Sequence, residues 1–255
     1  MILTLRLMIL GLISVLSLSL GITQANLAYA RIVCTLPQPP TIEVIPKTAP
    51  IQYEFTKSVT DLLDIQTNTV SPYGTHKEQM MLGLHEGQIH IQMKTTLKGT
   101  EYKKHNMGCL YFDHVSLTIA LNPKIYVIRE FPPRSCAHKV VLDHEYKHVE
   151  VDRRIVNIYA QRIGDALAQT VNHIGAVGPF PLQDLPAIQE SMVKDLHAQL
   201  QSWEKDMVAD QLRNQQAVDS LEEYERIGRA LREDCRYDIE GRLGRKVADS
   251  LRRKR

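Results

Sequence analysis

The chain lacks a strong excess of charge of either sign, since its 255 residues carry 31 Lys and Arg against 29 Asp and Glu. This near-neutral balance gives no indication of a nucleic-acid-binding protein, whose surface is basic. Internal repeats and low-complexity tracts are absent as well. Hydrophobic residues make up 44% and charged residues 24%. That composition is typical of a globular protein and excludes wholesale disorder, a collagen helix and a coiled-coil rod.

Long apolar runs are absent beyond the first thirty residues, so we expect no membrane span in the mature chain. Residues 1–30 differ, because Arg6 precedes an apolar stretch over residues 7–22 and the segment closes with Ala-Tyr-Ala at 28–30. That layout is typical of a secretory signal with a small-x-small cleavage site. The stretch is about 16 residues long, short of the roughly 20 that span a bilayer. We therefore predict a signal peptide cleaved after Ala30 and a secreted or periplasmic protein.

Cysteine is scarce, with only Cys34, Cys109, Cys136 and Cys235, and no two of them form a CxxC pair. The absence of that pair disfavours zinc binding by cysteine. An even number of cysteines beyond a secretory signal predicts two disulfides, for which three connectivities are possible. We favour Cys109–Cys136, which would close a local loop, and Cys34–Cys235, which would tie the two ends of the chain together.

Strand-like alternation marks the front of the chain. Apolar and polar residues alternate over Gln88–Leu97 and again over Val115–Leu121, which is the period of half-buried strands. Asn122-Pro123-Lys124 is a turn signal, and the apolar run Ile125–Ile128 follows it. The pattern predicts a β-hairpin over residues 115–128.

The back of the chain is predicted to be helical. Ser135 can cap a helix, and no Pro or Gly interrupts the chain from there to Gly164, so we expect a helix from about Cys136 to about Asn172. Further helices are predicted over 185–214 and from a cap at Asp219-Ser220 to about Cys235. We therefore predict an α+β fold, in which a small antiparallel N-terminal sheet packs on a long helix that a helical C-terminal part follows. The predicted domain covers residues 31–240, with a β-rich part at 41–130 and a helical part at 136–237.

The last fifteen residues, 241–255, form a basic tail with seven Lys or Arg and one Asp. A tail of this kind is typical of a solvated, frayed terminus, which is what we expect here. The alternative is a segment that binds anionic lipid or cell-wall polymer, because clustered cations attract such surfaces.

The motif H-E-x-x-H is present at His144, Glu145 and His148. Residues four apart lie on one helix face, so the two imidazoles can bind one zinc ion while the glutamate reaches a water molecule beside it. The apolar positions around the motif place both histidines on the inward face of the predicted helix. We therefore predict that His144 and His148 bind Zn²⁺ and that Glu145 acts as a general base.

A catalytic zinc usually takes a third protein ligand. Asp152 follows His148 by one helical turn, too far for a short side chain to reach a metal between the histidines. We expect Asp152 to orient neighbouring groups or to pair with an adjacent arginine. The cluster at 219–224 supplies other candidates, and from it we choose Glu223 as the third ligand, with Glu222 as its rival.

The segment V-L-D-H-E-Y-K-H-V-E-V-D at 141–152, behind a secretory signal and a β-rich front, resembles the zincin metallopeptidases. More closely, it resembles a bacterial family of predicted secreted zinc-dependent proteases. The similarity covers about Cys136–Arg154, with a weaker echo at Val218–Tyr224. It implies a zincin-like domain, bound zinc, and a sheet edge beside the helix to which an extended peptide adds as a strand. We expect the hairpin at 115–128 to provide that edge.

These residues predict a secreted or periplasmic zinc metallopeptidase that acts on a peptide or protein substrate. The alternative is a noncatalytic, disulfide-stabilised envelope or scaffold protein with structural zinc or no metal. A peptide and peptidoglycan fit the motif equally well as substrates, and no pattern in the sequence indicates the oligomeric state.

Overall fold

The computed structural model describes residues 32–73 and 80–253, so the predicted signal peptide at residues 1–30 lies outside the described residues. The described chain contains the strands β1 (Thr41–Thr48), β2 (Gln52–Glu54), β3 (Gly83–Tyr102), β4 (Met107–Val127) and β5 (Ala176–Pro181). Its α-helices are α1 (Val59–Leu62), α2 (Cys136–Ile174), α3 (Leu185–Val218), α4 (Leu221–Glu233) and α5 (Arg245–Arg253). The predicted α+β fold, with a sheet, a long helix and a helical C-terminal part, is confirmed.

The sheet is built around one long hairpin. β3 and β4 pair antiparallel from Gly83 opposite Val127 to Tyr102 opposite Met107. The other side of β4 pairs with three short strands, which are β5 near residues 107–111, β1 over 114–121 and β2 over 124–126. β1 and β2 run parallel to β4. The chain reverses its direction once between β2 and β3 and a second time between β3 and β4, so β4 points the same way as β1 and β2. The sheet is therefore mixed rather than purely antiparallel.

The turn of this hairpin lies elsewhere than predicted. β4 runs without interruption through Asn122-Pro123-Lys124, so the predicted hairpin over residues 115–128 is wrong. The reversal occurs instead at the 3₁₀ turn Lys103–His105 and at Asn106, whose φ of 52° is left-handed. Asparagine adopts that conformation more readily than most residues.

Pro123 is tolerated inside β4 because of a gap in the neighbouring strands. The carbonyl of Leu121 accepts a hydrogen bond from the N–H of Ala49 at 2.9 Å. Pro123 lies two residues further on and turns its backbone nitrogen to the same side. There β1 has ended at Thr48 and β2 pairs only from Lys124 onward, so the missing N–H of proline breaks no ladder bond.

The predicted long helix is confirmed as α2. Ser135 is its N-cap, and the hydroxyl oxygen accepts a hydrogen bond from the N–H of His138 at 3.2 Å. The helix ends at Ile174, before Gly175 with its φ of 62°. One face packs on the sheet, and a single apolar cluster contains Leu117, Ile119, Leu121, Val151, Ile155 and Tyr159. None of the helices in the described ranges is long and apolar enough to cross a bilayer.

The expectation of a frayed basic tail is wrong for residues 241–253. Glu240–Gly244 form a π-helical turn that leads into α5. Leu243 and Val247 are buried in the same apolar cluster as residues of α1. The ammonium of Lys246 lies 3.3 Å from the Glu130 carboxylate. The apolar positions between the cations therefore attach this segment to the domain.

The disulfides join Cys34 to Cys109 and Cys136 to Cys235, so the connectivity we favoured is wrong, although all four cysteines are paired. The length of β4 explains this result. The residues from Cys109 to Val127 span roughly 60 Å at about 3.3 Å per residue, which carries the chain to the other end of the sheet before α2 begins. Cys109 and Cys136 therefore lie at opposite ends of the sheet.

We expect the double substitution Cys136→Ser and Cys235→Ser to lower the free energy of unfolding by about 2–5 kcal/mol. The disulfide closes a separation of 99 residues, and its removal frees the unfolded chain. Urea denaturation of the oxidised proteins measures the difference. The matched control is Cys34→Ser with Cys109→Ser, whose separation of 75 residues should give a comparable loss. An unchanged denaturation midpoint in the first variant would contradict the pairing.

Candidate metal centre

The candidate site lies beside α2, in a cavity of about 820 Å³. The helix contributes a stripe of lining residues, because positions three, four or seven apart share a helix face. These residues are Val141, His144, Glu145, His148 and Asp152. The loop before β3, the start of β3 and parts of α3 and α4 also line the cavity.

Three buried ligand atoms converge on this stripe, namely Nε2 of His144, Nε2 of His148 and Oδ1 of Asp219. The two nitrogens are 3.3 Å apart. The carboxylate oxygen lies 3.3 Å from Nε2 of His144 and 3.2 Å from Nε2 of His148. Asp219 stands in the short junction between α3 and α4. These three residues form a buried group that could hold a metal ion.

Hydrogen bonds on the far side of each ring determine which nitrogen faces the group. Oε1 of Gln215 lies 2.5 Å from Nδ1 of His148, and Oε1 of Glu223 lies 3.3 Å from Nδ1 of His144. An amide oxygen and a carboxylate oxygen only accept, so each Nδ1 carries the proton. In the neutral imidazole, Nε2 then presents its lone pair, which is the form that binds a metal.

A further set of buried hydrogen bonds holds Gln215 in place. Its Nε2 donates to the carbonyl of His148 at 3.1 Å and to Oδ1 of Asp152 at 2.6 Å. Gln211 donates to the same Oδ1 at 2.7 Å, and Nε2 of His85 lies 2.8 Å from Oδ2 of Asp152. Asp152 is completely buried, and its hydrogen bond holds Gln215, which in turn orients His148. It therefore supports a histidine of the site rather than pairing with an arginine.

Charge and burial act in opposite directions on the pair His148 and Asp219. Burial by itself lowers the pKa of His148, but the hydrogen bond to Asp219 and the negative charge of Glu145 raise it to about 9. Burial by itself raises the pKa of Asp219, yet the hydrogen bonds with His144 and His148 hold it well below its usual range. In the metal-free protein at neutral pH, a proton on His148 therefore compensates the Asp219 carboxylate.

Glu145 lies beside this group with 4% of its surface exposed. Burial raises the pKa of its carboxyl, and the charges of His144 and His148 oppose that rise. The start of β3 comes very close, because a Cβ added to Gly83 would lie 2.5 Å from Oε1 of Glu145. A carboxyl group in such surroundings is suited to exchange a proton with a bound reactant.

We predicted Glu223 as the third ligand, but it contacts Nδ1 of His144. Nε2 of His148 and Oδ1 of Asp219 lie on the other side of that ring, at Nε2. Hydrogen bonds from Arg226, and next from Lys147, lower the pKa of Glu223 to about 2 although burial opposes this. Its Oε1 is 2.7 Å from the nitrogen of each of these cations. Glu223 thus orients His144 and does not join the buried group.

Asp219, and not Glu223, completes the buried group, and neither of the other two candidates belongs to it. Glu222 is exposed, and Asp152 lies behind Gln215. Asp219 was part of the 219–224 cluster, but its position before a helix indicated capping. In the structure Ser220 caps α4, accepting a hydrogen bond from the N–H of Glu223 at 3.3 Å. This leaves the carboxylate of Asp219 available to the histidines.

Two hydroxyl groups also contact Asp219. Thr69, in the loop before β3, and Tyr224 of α4 each form a hydrogen bond with its side chain. Burial, together with the charges of Asp219 and Glu145, raises the pKa of Tyr224 above its ordinary value. Tyr224 therefore keeps its proton and remains a donor. Its ring lies edge-on to His144, with centroids 6.1 Å apart.

Sequence reasoning missed Gln215, Gln211 and His85. The two glutamines lie four residues apart and so share one face of α3, but the surrounding helical pattern indicated ordinary packing. His85 lies near the start of β3, in front of the residues whose alternation marked a strand. No spacing within the motif links these three residues to α2, so nothing in the sequence singled them out.

The sheet edge beside the motif belongs to β3. The predicted edge at residues 115–128 is wrong, because β4 is paired on both sides over most of this stretch. The cavity is lined instead by residues 82–88, at the start of β3. Among the described strands, β3 pairs only with β4, so its other edge has no strand partner in that part of the chain.

We expect Gly87→Ala to destabilise the fold by roughly 1–3 kcal/mol, as overpacking does in a filled interior. A Cβ at this position would lie 1.6 Å from Oδ2 of Asp152, whose side chain is held by three hydrogen bonds. Urea denaturation measures the change. Gly244→Ala is the matched control, because a Cβ there would meet nothing within 4 Å. Equal stability of the two variants would show that Asp152 is not confined by β3.

No family model, no curated protein and no solved structure matches this chain in comparisons with known proteins. The resemblance to the zincin metallopeptidases therefore depends on the motif residues alone. What the protein does has to be inferred from the geometry of the site.

Proposed function

We propose that this protein is a secreted or periplasmic zinc-dependent metallopeptidase. The observation that carries the proposal is the convergence of three acceptor atoms, on His144, His148 and Asp219, at 3.2–3.3 Å from one another. With Nδ1 of each histidine protonated, these atoms repel one another unless a cation lies between them. Either a proton or a metal ion can supply that charge, and the donor set favours a metal.

Zinc fits this donor set better than calcium or magnesium does. Two imidazoles and one carboxylate are a ligand combination typical of catalytic zinc, which leaves a fourth position for water or substrate. Tetrahedral zinc with bonds of about 2.0–2.1 Å separates its ligand atoms by about 3.3 Å. The measured separations of 3.2–3.3 Å agree with that value. Calcium and magnesium prefer sites made of oxygen ligands alone.

Zinc bound by these residues would polarise a peptide carbonyl and lower the pKa of a water molecule. Glu145 would accept a proton from the attacking water and deliver it to the departing amine nitrogen. Its burial and raised pKa suit both roles, because the carboxyl can hold the proton between the two steps. Gln215 and Glu223 keep the two histidines oriented throughout.

The sheet edge supports a peptide as the substrate. Residues 82–88 of the β3 segment line the cavity that contains His144, Glu145 and His148. An extended peptide can add to such an edge through its backbone and so pass its scissile bond across the site. The two disulfides support the location, since they form in oxidising compartments outside the cytosol.

We expect Glu145→Gln to retain zinc but to reduce the cleavage of an unfolded protein such as casein at least about 100-fold, because the proton acceptor is lost. Asp219→Ala should lose both zinc and activity, since a ligand is removed. Elemental analysis measures the metal, and release of acid-soluble peptides measures cleavage. Glu222→Gln is the matched control, because this carboxylate is exposed. If the protein is a noncatalytic scaffold, Glu145→Gln should change neither the zinc content nor the release of peptides. A folded protein that takes up no zinc would contradict the proposal.

The apparent affinity for zinc should depend on pH. The pKa of His148 in the metal-free protein is raised from 6.5 to about 9, so a proton occupies this ligand at neutral pH and zinc must displace it. The affinity should therefore rise about tenfold per pH unit up to about pH 8 and level off near pH 9. Calorimetry in two buffers of different ionisation enthalpy should detect the released proton. An affinity that does not change over this range would contradict zinc binding by His148.

A further inference from the structure

We propose that an apolar chamber beside Glu145 selects a large apolar side chain next to the bond that is cleaved, so that the substrates are peptides with aliphatic or aromatic residues at that position. The inference rests on the proposed function. The apolar chamber is the part of the cavity lined by Leu63, Met80, Leu82, Val141, Ile227 and Leu231. All six belong to one apolar cluster, in which Val141 and Leu231 are buried and the other four are partly exposed.

The cavity changes in polarity along α2. Its polar end lies at Asp152, which contacts His85, Gln211 and Gln215. Its apolar end lies at Val141, four residues before Glu145 and on the same helix face. Four residues advance a helix by about 6 Å. The apolar chamber therefore begins at the distance from Glu145 at which the side chain of a residue flanking the scissile bond would lie.

Helix α4 repeats this change in polarity in the opposite direction. Tyr224, near the start of α4, lies beside the buried group and contacts His144 and Asp219. Ile227 and Leu231 follow on the same helix face and line the apolar chamber. α2 and α4 run antiparallel here and both become apolar toward the same end of the cavity. The chamber is thus formed by two elements rather than by one exposed side chain.

The disulfide Cys136–Cys235 joins the start of α2 to the chain just after α4, at the apolar end. Cys136 lies five residues before Val141, and Cys235 lies four residues after Leu231. The bond therefore holds the two walls of the apolar chamber together. A chamber with walls held in this way is formed before substrate binds, which reduces the entropy lost on binding.

The charges around the cavity exclude acidic substrates. Among the described residues that line it, none is Lys or Arg, whereas Glu86, Glu145, Asp152 and Asp219 are acidic. Apart from the proposed zinc, a substrate carboxylate would find no Lys or Arg partner in this lining and would face like charges. This argues against the acidic peptides of cell-wall polymers and favours an uncharged apolar side chain, whose burial stabilises the complex.

Gly228 offers a way to fill the apolar chamber without disturbing the ligands. It lines the cavity between Ile227 and Leu231. The three atoms nearest to a Cβ at this position all belong to the flexible end of the Arg232 side chain, the first of them at 3.3 Å. Leucine is also a better helix former than glycine, so Gly228→Leu should keep α4 intact.

The test measures binding of the blocked peptides acetyl-Gly-Gly-Xaa-Gly-Gly-amide to the zinc-loaded Glu145→Gln protein by calorimetry, with Xaa as Leu, Phe, Gly or Asp. Because Xaa is the only side chain, its position relative to the scissile bond need not be known. We expect the Leu and Phe peptides to bind at least about tenfold more tightly than the Gly and Asp peptides. Equal binding of all four would overturn the proposal.

Two variants connect any preference to the apolar chamber. Gly228→Leu, which fills it, and Ile227→Gln, which makes its wall polar, should each reduce the preference for Leu and Phe about tenfold. Arg229→Leu is the matched control, because Arg229 is exposed on the same helix and does not line the cavity. A preference that survives both substitutions in folded protein would overturn the proposal.

The proposed function can fail separately from this inference. If the wild-type protein cleaves no member of a peptide mixture derived from a whole proteome, yet the Glu145→Gln protein prefers Leu and Phe peptides, the peptidase assignment is wrong and the apolar chamber stands. If mass spectrometry shows cleavage with no apolar residue enriched beside the cut bonds, the peptidase assignment stands and the inference is wrong.

Discussion

The mutual repulsion of three acceptor atoms governs the centre of this protein. Nε2 of His144, Nε2 of His148 and Oδ1 of Asp219 lie within 3.3 Å of one another in a buried position. Such an arrangement is stable only when a cation neutralises it, and hydrogen bonds to Nδ1 of each histidine keep the lone pairs directed inward. The pKa of His148, raised to about 9, reports the same requirement, because the proton serves as the cation when no metal is bound.

The fold keeps these atoms in place through elements that are distant in sequence. α2 supplies both histidines, and the junction between α3 and α4 supplies Asp219. Behind His148, the hydrogen bonds of Gln215 reach Asp152, which β3 approaches so closely that only glycine fits at position 87. A disulfide joins the start of α2 to the chain after α4. Each support comes from a different element, so the site forms only when the whole domain has folded.

Periodic patterns explain what could be predicted. The apolar period along α2, the capping residue Ser135 and the absence of Pro and Gly before Gly164 identified the helix and the inward face of its histidines. The alternation over Gln88–Leu97 identified β3. The turn signal at Pro123 failed, because a gap between two partner strands accommodates proline inside β4. Local signals cannot reveal such a gap, since it depends on strands from elsewhere in the chain.

The amino-acid sequence alone determined the helical spacing of His144, Glu145 and His148, because that spacing depends only on local backbone geometry. The tertiary structure decided that Asp219 rather than Glu223 completes the buried group, that Cys136 pairs with Cys235, and that β3 rather than the 115–128 segment provides the sheet edge. These outcomes depend on how far β4 carries the chain and on how α4 turns beside α2. Distances of that kind are set by packing between elements, which no local pattern in the sequence encodes.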